Sequence, residues 1–170
     1  MKKFTKMFMA AAMMTAMVGF VGCNKDDDEK GGNDPLRNSD SYTVKYDNHT
    51  IAAGDTVKYN PTATELENEF VHMVFFILNK TSESLSTAVK MEMLQGPDSY
   101  KSAGICLDEC QNGICPFSCT PYPIGSGVEK QLELEMFPSA SEGSQRALYR
   151  VTVGKGAELG DPQVFFIQLN

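Results

Sequence analysis

The strongest constraint on the fold is an alternation of apolar and polar side chains that begins near residue 41. The segment LSTAVKMEML, residues 85–94, places Leu85, Val89 and Met91 on one face and Lys90 on the other. Because successive side chains of a strand point to opposite faces, this period of two is typical of strands with one buried face. The pattern therefore predicts strands rather than helices over most of the chain.

About seven runs of this kind indicate an all-β domain. They are rich in β-branched and aromatic residues, and Asp, Asn and Gly bound them, as in short strands. The runs cover residues 42–46, 55–59, 70–79, 85–94, 128–137, 146–153 and 164–170. Strands of this length and number predict a single β-sandwich over residues 41–170, most simply an immunoglobulin-like or fibronectin-like one.

The first 22 residues have the composition of an export signal. Three lysines come first, and an apolar run over residues 7–21 follows them. That run is shorter than the roughly 20 residues that a membrane-spanning helix needs. Cys23 comes directly after it and is followed by the acidic segment NKDDDE, residues 24–29. The chain therefore changes abruptly from apolar to acidic at a single cysteine.

This boundary resembles a bacterial lipoprotein signal, in which the cysteine after small residues such as Val21 and Gly22 is lipidated. The acidic residues after Cys23 are similar to the export signal of Bacteroidetes-type surface lipoproteins. The resemblance implies that residues 1–22 are removed and that the lipid on Cys23 anchors the protein to the outer membrane, with the domain exposed at the cell surface. A plain charged tether on a periplasm-facing protein has the same composition. In either case residues 23–40 are expected to form a flexible acidic linker.

The charge of the chain argues against nucleic acid as a partner. The sequence has 15 basic and 22 acidic side chains, for a net charge of −7. Three lysines and no acidic residue leave with the signal, so the net charge falls further, to −10. Nucleic-acid binding relies on basic surfaces that neutralise phosphates, and this balance does not supply one. The expected partners are the membrane, through the lipid, and an unknown protein or glycan.

Four of the five cysteines lie in the stretch ICLDECQNGICPFSC, residues 105–119, with the spacing C-x3-C-x4-C-x3-C. Exported proteins mature where thiols oxidise, so an even number of cysteines is typical of disulfides. Zinc sites usually use the tighter C-x2-C pair, and a redox centre would need C-x-x-C. We therefore predict two disulfides among Cys106, Cys110, Cys115 and Cys119, and no metal.

The pairing of these cysteines depends on where the stretch turns. Asn112-Gly113 is a strong signal for a two-residue hairpin, and a turn there sets Cys110 opposite Cys115 and Cys106 opposite Cys119. This favours the nested bridges Cys106–Cys119 and Cys110–Cys115 in a loop that projects from the sandwich. The other two connectivities stay open, because Pro116 lacks the N–H that this ladder would use.

The segment after the cysteines is a candidate binding loop. Phe117, Tyr122 and Ile124 are interleaved with prolines and could act as rigid apolar anchors for a partner. The alternative is that they fold back over the end of the sandwich. The stretch VKMEMLQGPDSYKSAGICLDEC, followed by PYPIGSG, is similar to sandwich modules of secreted Bacteroidetes proteins. That resemblance implies a location and a fold rather than an activity.

No catalytic constellation is visible in the sequence, so we expect neither an enzyme nor a bound cofactor. The two histidines, His49 and His72, have no adjacent nucleophile motif such as G-x-S-x-G. Haem or metal capture through His72 and the methionines Met73, Met91 or Met93 is the alternative function. The glutamates that share one strand face could hold calcium but are more typical of a solvated surface; they are Glu129, Glu133 and Glu135. We predict a lipid-anchored, non-catalytic module for protein or glycan binding or assembly.

Overall fold

The computed structural model describes residues 36–138 and 146–170. The predicted signal peptide, the lipidation residue Cys23 and the linker up to residue 35 lie outside the described residues. Within the described ranges the chain is an immunoglobulin-like sandwich of two β-sheets, which confirms the predicted fold class. No helix in the described part is long and apolar enough to cross a membrane.

The described residues form twelve strands, one short α-helix and one 3₁₀ helix. The strands are β1 (Tyr42–Tyr46), β2 (His49–Ile51), β3 (Thr56–Tyr59), β4 (Val71–Asn79), β5 (Leu85–Gln95), β6 (Ser102–Cys106), β7 (Cys110–Ile114), β8 (Phe117–Ser118), β9 (Tyr122–Ile124), β10 (Glu129–Met136), β11 (Ala147–Lys155) and β12 (Gly160–Leu169). Helix α1 spans Ala63–Glu67, and the 3₁₀ helix spans Asp98–Lys101. The prediction of about seven strands was too low for two reasons. β2, β8 and β9 are only two or three residues long, too short for periodicity to reveal, and β6 and β7 lie in the stretch that was predicted to be a stapled loop.

The two sheets have six and five strands along their main paths. The first sheet has the order β2-β1-β4-β10-β6-β7, and the second has the order β3-β12-β11-β5-β8, with β9 also paired to β5. All strand pairs are antiparallel except β3 with β12. The predicted projecting loop is therefore not a loop, because its first half forms β6 and β7 at the edge of the first sheet.

The core follows from the alternation along the central strands. In β4 every second residue is buried, from Val71 to Asn79, while the residues between them are half-buried on the outer face. The corresponding residues of β10, β11 and β12 are buried as well. Phe75 and Phe165 join the two sheets, with ring centres 5.3 Å apart. Burial of these apolar faces provides the main free energy that holds the sheets together.

A buried polar network closes the edge of the sandwich where β1 lies near β12. The Tyr42 hydroxyl donates to the Val153 carbonyl at 2.6 Å and accepts from the Gln163 N–H at 3.1 Å. The hydroxyls of Ser39 and Ser41 donate to the Asp161 carboxylate at 2.7 and 2.8 Å. Ser39 belongs to the predicted linker, so contacts with the sandwich begin before residue 41. We call Ser39, Ser41, Tyr42, Asp161 and Gln163 the Tyr42 network.

Candidate functional site: a cleft at the cysteine edge

The cysteine stretch forms a hairpin whose turn is not where the sequence predicted it. Strands β6 and β7 pair with Cys106 opposite Cys110, so the turn consists of residues 107–109. Asn112 and Gly113 lie inside β7, opposite Gly104 and Ala103. The predicted turn at Asn112-Gly113 was therefore wrong: pairing with β6 along the edge of the first sheet overrides the local turn preference.

This register determines the disulfide. Cys106 and Cys110 face each other across the base of the turn and form a disulfide bond. The nested pairing of Cys106 with Cys119 and of Cys110 with Cys115 was wrong, because it required the turn to lie at residues 112–113 rather than at 107–109. The actual bridge closes a turn of only three intervening residues, 107–109.

Cys115 and Cys119 are free, buried thiols. After β7 the chain crosses to the second sheet, where β8 pairs with β5. The Cys115 thiol is hydrogen-bonded to the backbone N–H of Met93, and the Cys119 sulfur accepts from the N–H of Val89 at 3.3 Å. Those two N–H groups are four residues apart on one strand, or about 13 Å. Each sulfur lies within hydrogen-bond reach of its own N–H group, so the two sulfurs are more than about 5 Å apart, whereas a disulfide needs about 2 Å.

Burial governs the ionisation of both thiols. It raises the pKa of Cys115 and of Cys119, and the hydrogen bonds from the β5 backbone only partly oppose it. A thiol with a raised pKa holds little thiolate at neutral pH and therefore reacts slowly. The two residues behave as small core side chains.

A cavity of about 390 Å³ opens between the disulfide-closed turn and the chain that follows β8. Its lining consists of Leu107, Asp108, Glu109, Gln111, Cys119, Thr120, Pro121 and Tyr122. We call this cavity the edge cleft. The Gln111 side-chain oxygen accepts from the Thr120 N–H at 2.8 Å and from its hydroxyl at 3.1 Å, so these bonds join the two walls. The walls are thus fixed by one covalent bond and two hydrogen bonds.

The mouth of the edge cleft is polar and includes an aromatic ring. Lys130 lies beside it, with Nζ 2.9 Å from an Asp108 oxygen and 4.6 Å from the centre of the Tyr122 ring. The hydrogen bond from Lys130 lowers the pKa of Asp108, and the same bond raises the pKa of Lys130. Asp108 and Glu109 are exposed, so their carboxylates can accept hydrogen bonds from a ligand. Ligand sites commonly combine apolar surface with a few convergent polar groups of this kind.

The three predicted anchors have different environments. Ile124 is 1% exposed in the core, so its prediction as a surface anchor was wrong, because pairing of β9 with β5 turns it inward. Phe117 is half-buried, and its ring covers Gly113, where a Cβ atom would lie 2.7 Å from the ring. Tyr122 is half-buried and lines the edge cleft. No local sequence signal indicates Asp108, Glu109 or Gln111, because the cleft depends on the hairpin register.

The residues considered for haem or metal capture separate into two groups. Met73 and Met91 are buried in the core, whereas His72 lies on the outer face of β4, so this histidine and these methionines do not form one ligand set. Glu129 forms an ion pair with Lys45. The other two glutamates, Glu133 and Glu135, lie beside His72. Sequence reasoning missed this grouping because it arises from the pairing of β4 with β10.

Comparison with known proteins supports the fold. No protein-family model matches the chain, and no curated protein does. The N-terminal domain of PorA is similar in structure, with a TM-score of 0.52 and 14% identity over 75% of this chain and 95% of that one. A PapD-like domain of human CEP192 has a TM-score of 0.41 and 10% identity, covering 87% of this chain and 94% of its own. The CooA pilin subunit of enterotoxigenic Escherichia coli has a TM-score of 0.39 and 12% identity, covering 76% and 97%. At 14% identity the likeness to the PorA domain concerns the sandwich fold alone.

Proposed function

We propose that the chain is a lipid-anchored cell-envelope protein whose β-sandwich binds a protein or glycan partner at the edge cleft without catalysing a reaction. The anchor is the lipid on Cys23, and the outer membrane surface is the expected location. The apolar segment, the cysteine and the acidic residues after it support this part of the proposal.

The observation that carries the binding role is the preformed edge cleft. Its volume of about 390 Å³ falls in the range typical of ligand sites. The disulfide and the Gln111–Thr120 bonds hold its walls before any partner arrives. Binding to a preorganised site avoids much of the entropy cost of ordering a loop.

The chemistry of the cleft suits a ligand rich in hydrogen-bond donors that also has a flat apolar face. Asp108 and Glu109 supply acceptors, and Tyr122 supplies the ring. A sugar offers both features, and so does the exposed segment of a protein with an amide backbone. A second cavity, of about 310 Å³, lies at the opposite edge beside His49, but no disulfide closes it. The edge cleft is therefore the better candidate.

Site-specific photo-crosslinking in intact cells tests the binding role. A photoreactive residue at Glu109 should capture a partner, while the same residue at exposed Lys58, on the opposite edge, should not. If the partner is a sugar, a glycan array tests it in parallel. The purified wild-type protein should bind a glycan on the array, and a Tyr122→Ala variant should not. Equal capture from both positions, or no capture together with no retained glycan, would contradict the proposal.

The anchoring part is tested separately by labelling cells with a radioactive fatty acid. The wild-type protein should incorporate the label, and Cys23→Ala should not. Added protease should then remove the sandwich from intact cells if it faces the medium. Label retained by the Cys23→Ala variant would overturn the lipid anchor but leave the edge cleft untouched.

A further inference from the structure

A row of polar side chains crosses the outer face of the first sheet. His72 on β4 lies opposite Glu135 on β10, Glu135 lies opposite Gly104 on β6, and Gly104 lies opposite Asn112 on β7. Glu133 occupies the next outward position of β10. Residues directly opposite each other on neighbouring strands have their side chains in reach, so the row gathers residues that are far apart in sequence.

Three of these side chains bring metal-ligating atoms together. The Nε2 atom of His72 lies 2.9 Å from an Oε2 oxygen of Glu133. Single ligand atoms of His72, Glu133 and Glu135 all lie within 4.8 Å of one another. The His72 and Glu133 side chains are 36% and 31% exposed, so an ion from solution can reach them. One imidazole with two carboxylates is a ligand set suited to zinc and similar divalent ions.

The absence of a side chain at Gly104 leaves space beside this group. A Cβ atom there would lie 2.7 Å from a Glu135 oxygen and 2.7 Å from the Asn112 side-chain oxygen. The two oxygens are therefore no more than twice that distance apart. Both side chains therefore reach the space over Gly104. Asn112 is thus placed to support an ion bound at Glu135.

The surroundings hold the ligands in position but do not neutralise them. Gln131 donates to the second oxygen of Glu133 at 2.6 Å, which orients that carboxylate. The ring of Phe70 stacks on His72, with ring centres 5.9 Å apart. Among the described residues no lysine or arginine forms an ion pair with Glu133 or Glu135. Partners of this kind, which orient the ligands, are a regular part of metal sites.

We propose that His72, Glu133 and Glu135 bind a divalent transition-metal ion, with zinc as the probe ion. The ion binds the Nε2 lone pair of neutral His72 in place of the hydrogen bond to Glu133, and the proton of that hydrogen bond moves to Nδ1 or to solvent. Water, or the Asn112 oxygen, completes the coordination. This site lies on the outer sheet face and does not depend on the proposed function of the edge cleft.

The neighbouring disulfide determines how the site must be tested. The sulfurs of Cys106 and Cys110 lie within 4.8 Å of a ligand oxygen of Glu135. As a disulfide they carry no thiolate, but reduction would make them strong zinc ligands. Zinc binding is therefore measured without reductant, on protein stripped of metal with a chelator that is then removed.

Calorimetric titration of the purified protein with zinc chloride tests the proposal. One zinc should bind per chain, and His72→Gln or Glu135→Gln should weaken binding at least about tenfold. The matched controls are His49→Gln, which alters the other histidine, and Glu129→Gln, on the same strand face; both should bind as the wild type does. Zinc should also raise the melting temperature of the wild type and of both controls, and it should do so less for the two site variants.

Two results would overturn the proposal. The first is no measurable binding of zinc by the wild type at millimolar concentration. The second is unchanged affinity in His72→Gln and Glu135→Gln, which would place the ion elsewhere. If either variant were poorly folded, its circular dichroism spectrum and melting curve without zinc would show it, and the remaining variant would decide the result.

Discussion

The two edges of the sandwich are closed in different ways. On the side of the edge strands β2 and β3, the Tyr42 network between β1 and β12 largely buries its polar groups and pairs them across the two sheets. At the edge with β7 and β8, polar groups remain at the surface around an open cleft, and a disulfide supports one wall. Buried polar groups must be satisfied or they cost free energy, whereas exposed ones remain free to meet a ligand. The first edge therefore serves stability, and the second is suited to binding.

The contrast between the two edges is tested most directly by making the same substitution at both. Tyr42→Phe removes the hydroxyl that pairs with Val153 and Gln163. It should lower the free energy of unfolding by about 2–3 kcal/mol, because two buried backbone groups lose this partner. Tyr122→Phe removes a hydroxyl that interacts with exposed Asp108, and it should cost less than about 1 kcal/mol. Urea unfolding measures both. Equal losses of unfolding free energy would mean that the two edges do not differ in how much their polar groups contribute to stability.

Loss of the disulfide should have the next largest effect. The double substitution Cys106→Ser and Cys110→Ser removes a bridge around a very short loop, and such a bridge stabilises the fold by about 2 kcal/mol or less. The expected change is a lower urea midpoint together with weaker capture of the partner, because the turn that forms one cleft wall is released. Partner capture equal to that of the wild type would show that the bridge does not shape the cleft.

Asp161 should make the stability of the first edge depend on pH. Burial alone would raise its pKa, but the hydroxyls of Ser39 and Ser41 and the charge of Lys155 together lower it. A lowered pKa stabilises the folded state above the ordinary aspartate value near 4, and this stability is lost as the pH falls through the folded pKa. Asp161→Asn should therefore lower the free energy of unfolding by about 1–2 kcal/mol at pH 7 and by less at pH 3. Unfolding curves at the two pH values check this, and a cost that does not change with pH would contradict it.

The smallest effect is expected at the mouth of the edge cleft. Asp108 is paired with Lys130, but its side chain is 56% exposed. Surface ion pairs contribute little, so Asp108→Asn should leave the free energy of unfolding nearly unchanged. The same variant should reduce partner capture. A stability loss as large as that of Tyr42→Phe would make Asp108 a structural residue and remove the contrast between the edges.

Periodicity predicted the long strands but not how they are arranged. Strands such as β5 and β10 alternate clearly in the sequence, and the structure has them where the pattern placed them. The predicted position of the hairpin turn was wrong because Asn112-Gly113 is a local signal, whereas the register of β7 depends on its pairing with β6. His72 and Glu133 are 61 residues apart, and nothing local indicates that β4 and β10 are neighbours. Sites built across strands are for this reason the hardest to predict from one sequence.

The central claim is that no disulfide joins the two walls of the edge cleft, because Cys106 is bound to Cys110 and Cys119 is left free. The tryptic peptide 102–130 carries all four of these cysteines and not Cys23. Protein exported to an oxidising compartment is unfolded without reductant, treated with iodoacetamide and digested, and the labels on that peptide are counted by mass spectrometry. The account predicts two labels, on Cys115 and Cys119, and almost none if the protein is labelled while folded. A peptide with no label and two disulfides, one joining Cys106 to Cys119, would tie the walls together and contradict the account.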